Sequence, residues 1–206
     1  GAGYATQHRY PDTTVGGNFG GGTIIIDDGG RLENRGTIEW TSECRNQPGE
    51  SCDTSHFDVK NGGYLKNEQN GVIIVNDLGS LTARYEDAVI INDGVIVQSE
   101  WDLIYADFSG SGTIVGNAGF YGDFRPGNPV GFQTIEGNYS HHRGRLPIEI
   151  RAQNHNGDDY DYVDVTGQVL RFREDGQGRP LSTVELVFTD GFTEAGLTHG
   201  DYFDII

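Results

Sequence analysis

The stretches Gly29–Ile38, GGRLENRGTI, and Gly62–Ile73, GGYLKNEQNGVI, share one wording: two glycines, a leucine, an asparagine, then a glycine followed two residues later by isoleucine. The charged letters between these positions differ. A chain that repeats its glycines and apolar residues while its polar residues drift is returning to the same local conformation. Glycine followed at the second position by isoleucine recurs at Ile24, Ile38, Ile73, Ile96 and Ile114, and leucine after a glycine-containing turn recurs at Leu32, Leu65 and Leu81. Short runs of Val, Ile, Tyr and Phe cut by Gly, Asn and Asp are strand signals. Helix signals are nearly missing, because glycine interrupts each stretch before a helix could nucleate.

These repeats predict an all-β fold, a right-handed β-helix (solenoid) with a C-terminal β-rich capping region. Each unit of roughly 18 to 35 residues would form one coil of short strands. Glycine and asparagine tolerate the positive φ that sharp corners need, and Ile24, Ile38, Ile73, Ile96 and Ile114 would stack as inward columns. Solvent-facing Glu33, Arg35, Lys66 and Glu68 are then free to vary. The alternative is a β-sandwich with glycine-rich hairpins, which has no need of a repeated Gly-x-Ile. Residues 1–22 read as a flexible glycine-rich arm, 23–117 as coils, and 118–206 as the terminal region. There the strands alternate more cleanly: Leu146, Ile148 and Ile150 with Pro147 and Glu149, and Val184, Leu186 and Phe188 with Glu185 and Val187.

The 206 residues include 32 glycines and six prolines, and the formal net charge is −17. Glycine without a period of three excludes collagen, and recurrent apolar clusters argue against disorder. So acidic a chain repels nucleic acid and anionic membranes, and no apolar run reaches the roughly 18 residues of a membrane helix. The chain has no methionine and opens GAGYATQ, which suits a mature terminus left by a signal peptidase or a trimmed chain. Cys44 and Cys52 bracket a polar turn. The expectation is a small disulfide-closed loop in an oxidising, extracytoplasmic compartment, the alternative being two free thiols.

The later sequence resembles a known group. GSGTIVGNAGFYGDFRPGNPVGFQTIEGNYS, followed by GRLPIEI, YDYVDVTG and GDYFDII, is similar to the tail of autotransporter-associated β-strand proteins. The matching elements are Pro126-Gly127-Asn128, Gly131, Gly137-Asn138-Tyr139, Asp161, Asp164-Val165-Thr166-Gly167 and Gly200-Asp201. The opening phrases resemble the loose repeats of autotransporter passenger domains and filamentous-haemagglutinin-like adhesins. The resemblance implies an exported bacterial β-helix at the cell surface or outside the cell, with a structural or adhesive role and no enzymatic activity.

Candidate chemistry is thin. Asp27-Asp28 precedes Gly29-Gly30 and reads as a corner. Asp158, Asp159, Asp161 and Asp164 form an acidic stretch able to offer oxygens to calcium, although the spacing fits no known calcium loop and no other cofactor is expected. His141-His142 reads as a surface loop, since neighbouring strand residues diverge. Gly16–Gly22 reads as a flexible lead-in. Asn138-Tyr139-Ser140 satisfies the glycosylation sequon. Trp40, Tyr64, Trp101, Tyr105 and Tyr121 suit either a sugar-stacking platform or internal packing. The expectation is a homopolymer built by strand pairing, with residues 1–22 as an exchangeable arm. The alternative is a carbohydrate-binding or polysaccharide-degrading β-helix.

Overall fold

A computed structural model describes residues 5–6, 17–20, 23–41, 56–76, 80–83, 87–98, 102–127, 130–151, 159–172, 181–190, 192–193 and 205–206. These residues are all-β, with no helix among them, and every strand pairing is parallel. The first sheet holds β1 (Ala5–Thr6), β3 (Thr23–Ile26), β6 (His56–Val59), β9 (Ser80–Ala83), β12 (Asp102–Ile104), β15 (Ala118–Phe120), β18 (Tyr139–His141) and β21 (Val169–Phe172). The second holds β4 (Arg31–Asn34), β7 (Tyr64–Asn67), β10 (Val89–Asn92), β13 (Asp107–Gly110) and β16 (Phe124–Pro126). The third holds β2 (Gly17–Gly20), β5 (Thr37–Thr41), β8 (Val72–Asn76), β11 (Val95–Gln98), β14 (Thr113–Val115), β17 (Phe132–Glu136) and β20 (Tyr162–Val165). A two-stranded sheet pairs β19 (Gly144–Ile150) with β22 (Ser182–Phe188). From β3 onward the chain visits the first, second and third sheets in that order. β19 and β22 take the second sheet's turn, and apart from β1 with β3 each ladder joins a strand to the one three places on.

This circuit accounts for the repeated phrase. In the second sheet Leu32, Leu65, Ile90, Phe108 and Phe124 are register partners in succession, each at most 6% exposed. In the third sheet Ile38, Ile73, Ile96, Ile114 and Ile135 form a second file, each at most 1% exposed. Burial of each such side chain contributes about 1.5–3 kcal/mol. Ile24 does not join them. It lies on β3 in the first sheet, half-buried and opposite Phe57, and its strand buries Ile26 more deeply. The Gly-x-Ile signal finds strand starts, and cannot say which sheet a strand enters. The 33-residue spacing of Asn34 and Asn67 is a short circuit enlarged by a long connection. Phe108 and Phe124 are partners only 16 residues apart. The extra length falls between β5 and β6, where Cys44 and Cys52 stand, and both cysteines lie outside the described residues.

The paired glycines make the corner from the first sheet to the second. Asn61 and Gly62 have φ of 48° and 73°, and Asp28 and Gly29 repeat this with 51° and 73°. The two corners stack, and Asn61 Nδ2 donates to Asp27 Oδ1 at 2.8 Å. A Cβ on Gly63 would collide with the Ile26 carbonyl oxygen, so the close approach of successive circuits admits only glycine there.

The arm expected over residues 1–22 is in part strand. Ala5–Thr6 pairs with β3, and Gly17–Gly20, expected to be a lead-in, pairs with β5. Free backbone groups on the edges of β3 and β5 supply the ladders that a local reading of glycine-rich sequence overlooks.

Candidate functional site

At the corner from the second sheet to the third, Asn34, Asn67 and Asn92 stack with no exposed surface. Asn34 Nδ2 donates to Asn67 Oδ1 at 2.9 Å, and Asn67 Nδ2 donates to Asn92 Oδ1 at 2.9 Å. Each Nδ2 also reaches a carbonyl of the third sheet: Val72 O, Val95 O and Thr113 O, at 3.1, 3.1 and 3.2 Å. The ladder joins consecutive circuits and satisfies amides that would be costly to bury alone. A side chain on Gly71 or Gly94 would strike it. Its role is to hold the corner, and it leaves no room for a ligand.

The outer face of the second sheet concentrates charge. Arg31 and Arg35 share Glu33, and Lys66 meets Glu68 and Asp93. Further along, Arg125 bridges Asp107 and Asp123, while Arg145 bridges Asp123 and Glu185. Burial raises the Asp123 carboxyl, but the hydrogen bonds from Arg145 and the two guanidinium charges outweigh it and hold the group below its usual value.

Within this face the ladder opens. β16 and β19 lie side by side, yet they belong to different sheets. Each carries a proline, Pro126 or Pro147, which has no N–H to give a ladder. A cleft of about 450 Å³ occupies this seam, with Arg125, Arg145, Glu149, Asp161 and Glu185 among its polar lining. Asp161 is 1% exposed. Its Oδ1 accepts from Gly131 N at 3.0 Å and its Oδ2 from Glu149 N at 2.9 Å, while its own N–H donates to Glu149 O at 2.9 Å. The carboxylate thus ties Gly131, just before β17, to Glu149 of β19. Burial pushes its pKa up to about 7, against the lowering effect of the two amides.

Of the four aspartates expected at a calcium site, Asp158 lies outside the described residues. Asp159 is half-buried, Asp161 forms the base of the seam, and Asp164 is exposed on β20 opposite Thr134. Among the described residues no three His, Cys, Asp or Glu side chains come together as a metal site. Asp27-Asp28 opens a corner, with Asp28 and Gly29 at positive φ.

His141 departs from the surface loop expected of it: it has no exposed surface. The strand alternation turns Tyr139 and His141 inward, where Phe108, Phe120 and Phe124 pack around them. Nε2 of His141 faces the Gly122 carbonyl at 3.2 Å, which only accepts, so Nε2 carries the proton and Nδ1 accepts from Tyr139 OH at 3.0 Å. Burial lowers the histidine pKa and raises that of the phenol. His142 turns outward, stacks on Tyr121 at 4.7 Å, and approaches Ser140 Oγ through Nε2 at 2.9 Å. Tyr121 in turn stacks on Tyr105 at 4.3 Å. These rings stack in a row, with Tyr105 at its exposed end. Tyr64 lies beneath the Arg31 guanidinium at 4.1 Å. The side chain of Trp40, and all of Trp101, lie outside the described residues.

The seam escapes a reading along the chain because its lining runs from Ser109 to Val187. The available signal was a proline inside each of two otherwise alternating strands. Compared with known protein families, curated proteins and solved structures, the chain has no match. No helix among the described residues is long and apolar enough to cross a membrane.

Proposed function

We propose that this chain is a structural or adhesive subunit at a cell surface or outside the cell, wound as a right-handed β-helix and stacking end to end with copies of itself. The circuit through three parallel sheets supports the winding, and the right hand follows from the near-universal handedness of parallel crossovers. The resemblance to autotransporter-type surface proteins, and a disulfide expected between Cys44 and Cys52, are the grounds for proposing export.

One observation carries the stacking. Val184 and Leu186 of β22 are partners of Leu146 and Ile148. Leu146 and Ile148 are fully buried, whereas Val184 and Leu186 are 40% and 47% exposed. The apolar file therefore continues to β22, where its side chains are exposed and no described residue pairs beyond them. A second copy suits the vacancy by charge. At the β4 end two arginines, Arg31 and Arg35, share one carboxylate. At the β22 end Glu185 closes a row of ion pairs that starts on β13, in which three carboxylates, Asp107, Asp123 and Glu185, share two arginines. Added strand pairing between such ends makes an open, head-to-tail assembly.

Light scattering across a concentration series, followed by electron microscopy, tests this reading. The expected result is growth into linear polymers that Val184→Asp with Leu186→Asp abolishes. Monomers at every concentration, or polymers indifferent to the double variant, would overturn it.

A further inference from the structure

The seam cleft shares β22 with the stacking surface but uses other residues of it, Glu185 and Val187 in place of Val184 and Leu186. Its lining combines half-buried Val187, beside the buried Pro126 and Pro147, with groups of both hydrogen-bonding kinds: guanidinium donors on Arg125 and Arg145 and carboxylates on Glu149 and Glu185, above the buried Asp161. Its volume of about 450 Å³ falls among small-ligand sites.

The charge pattern selects the class of ligand. Arg145 is already held by Asp123 and Glu185, and Arg125 by Asp107 and Asp123. An anion entering the cleft meets carboxylates on the same walls, and a cation meets both guanidinium groups. The lining also supplies no three-ligand metal cluster among the described residues. A neutral polyhydroxyl ring suffers neither repulsion. Each hydroxyl can accept from a guanidinium N–H and donate to a carboxylate oxygen, while the ring's C–H face lies against Val187. We propose that the cleft between β16, β19 and β22 binds neutral saccharide units, with Arg145 and Glu149 as hydroxyl partners. The opened ladder makes the space, and the amide bonds to Asp161 keep the seam from collapsing.

The test uses the whole chain on an array of neutral and acidic oligosaccharides, followed by calorimetric titration of the glycans retained. Ser109→Trp fills the cleft from β13, and Val187→Phe fills it from the opposite wall on β22. Neither residue belongs to the ion pairs. Neutral glycans are expected to bind, with affinity reduced at least tenfold by either filling variant. The melting temperature of the variant being scored is measured alongside, and Val187→Phe decides if Ser109→Trp does not fold. Light scattering on the same samples reads assembly separately, so loss of sugar binding with intact polymers concerns the cleft alone. No retained glycan, retention of acidic glycans only, or unchanged affinity in a folded filling variant would overturn the proposal.

Discussion

The circuits around β4, β7 and β10 and those around β13, β15, β16 and β18 use the same parallel ladders but fill their interiors differently. The earlier circuits stack aliphatic side chains, Leu32, Leu65 and Ile90 beside Ile38, Ile73 and Ile96, and fix each corner with the Asn34–Asn67–Asn92 ladder. The later ones pack Phe108, Phe120, Phe124, Tyr139 and His141 against one another. Phe120 and Phe124 lie parallel with centroids 4.2 Å apart. At the corner the asparagine file ends in Gly110, the next residue in register after Asn92. One backbone scheme therefore tolerates two interiors. A column of small, like side chains repeats a polar corner faithfully, while an aromatic cluster spans several strands and dispenses with it.

Truncation should separate the two regions. Phe120→Ala removes a ring that touches Phe108, Phe124, Tyr139 and His141. We expect the largest loss, about 4 kcal/mol in denaturant unfolding. Asn67→Ala leaves one Asn34 Nδ2–H and the Asn92 Oδ1, both buried, without their ladder partner, and should cost about 3 kcal/mol. Asn67→Leu should be no better, because the corner glycines leave no space for it. If Asn67→Ala is nearly neutral, the ladder does not hold the earlier corners and the contrast fails.

The regions should also differ in their response to pH. The buried titratable groups with shifted pKa, Asp161, His141 and Tyr139, all belong to the later region, and the acid and the histidine carry the prediction. Asp161 has a raised pKa, so its contribution is complete below the ordinary carboxylate value and is lost as pH rises through about 7. Its neighbours in this balance are Glu149, which raises the pKa further, and Arg151, which lowers it. His141 has a lowered pKa, so its contribution is complete above the ordinary histidine value and falls as pH drops toward its folded value. Asp123 and His142 act on it with opposite sign. Melting temperatures of Asp161→Asn should therefore lose the decline between weakly acidic and neutral pH and keep the acid-side decline. His141→Phe should do the reverse. Identical profiles for both variants and the parent would remove these groups from the account.

The smallest effect is expected on the charged face. Lys66→Ala breaks its pairs with Glu68 and Asp93, and should shift stability by less than about 1 kcal/mol, less still in high salt. A larger loss would mean that the face organises the earlier circuits as strongly as the asparagines do.

What the sequence makes legible follows the same division. Gly29-Gly30 and Gly62-Gly63 mark corners because positive φ and close backbone approach restrict the residue type. Leu32 with Leu65 and Ile38 with Ile73 mark columns because identical environments select like side chains. Asn92 belongs to the same ladder, but its circuit lacks the double glycine and so hides the match. Where aromatics replace the column, neighbours such as Phe120 and Phe124 need not resemble each other in sequence context. His141 was missed for that reason: its burial depends on rings from three other strands. The seam was missed because its cleft joins residues far apart along the chain.

Methyl nuclear Overhauser spectroscopy on isoleucine-labelled protein tests the parallel circuit most directly. Contacts running in order from Ile38 to Ile73, Ile96, Ile114 and Ile135 are the expected result. A spectrum lacking the Ile73–Ile96 and Ile96–Ile114 contacts, with cross-strand amide contacts in antiparallel register between β4 and β5, would contradict it.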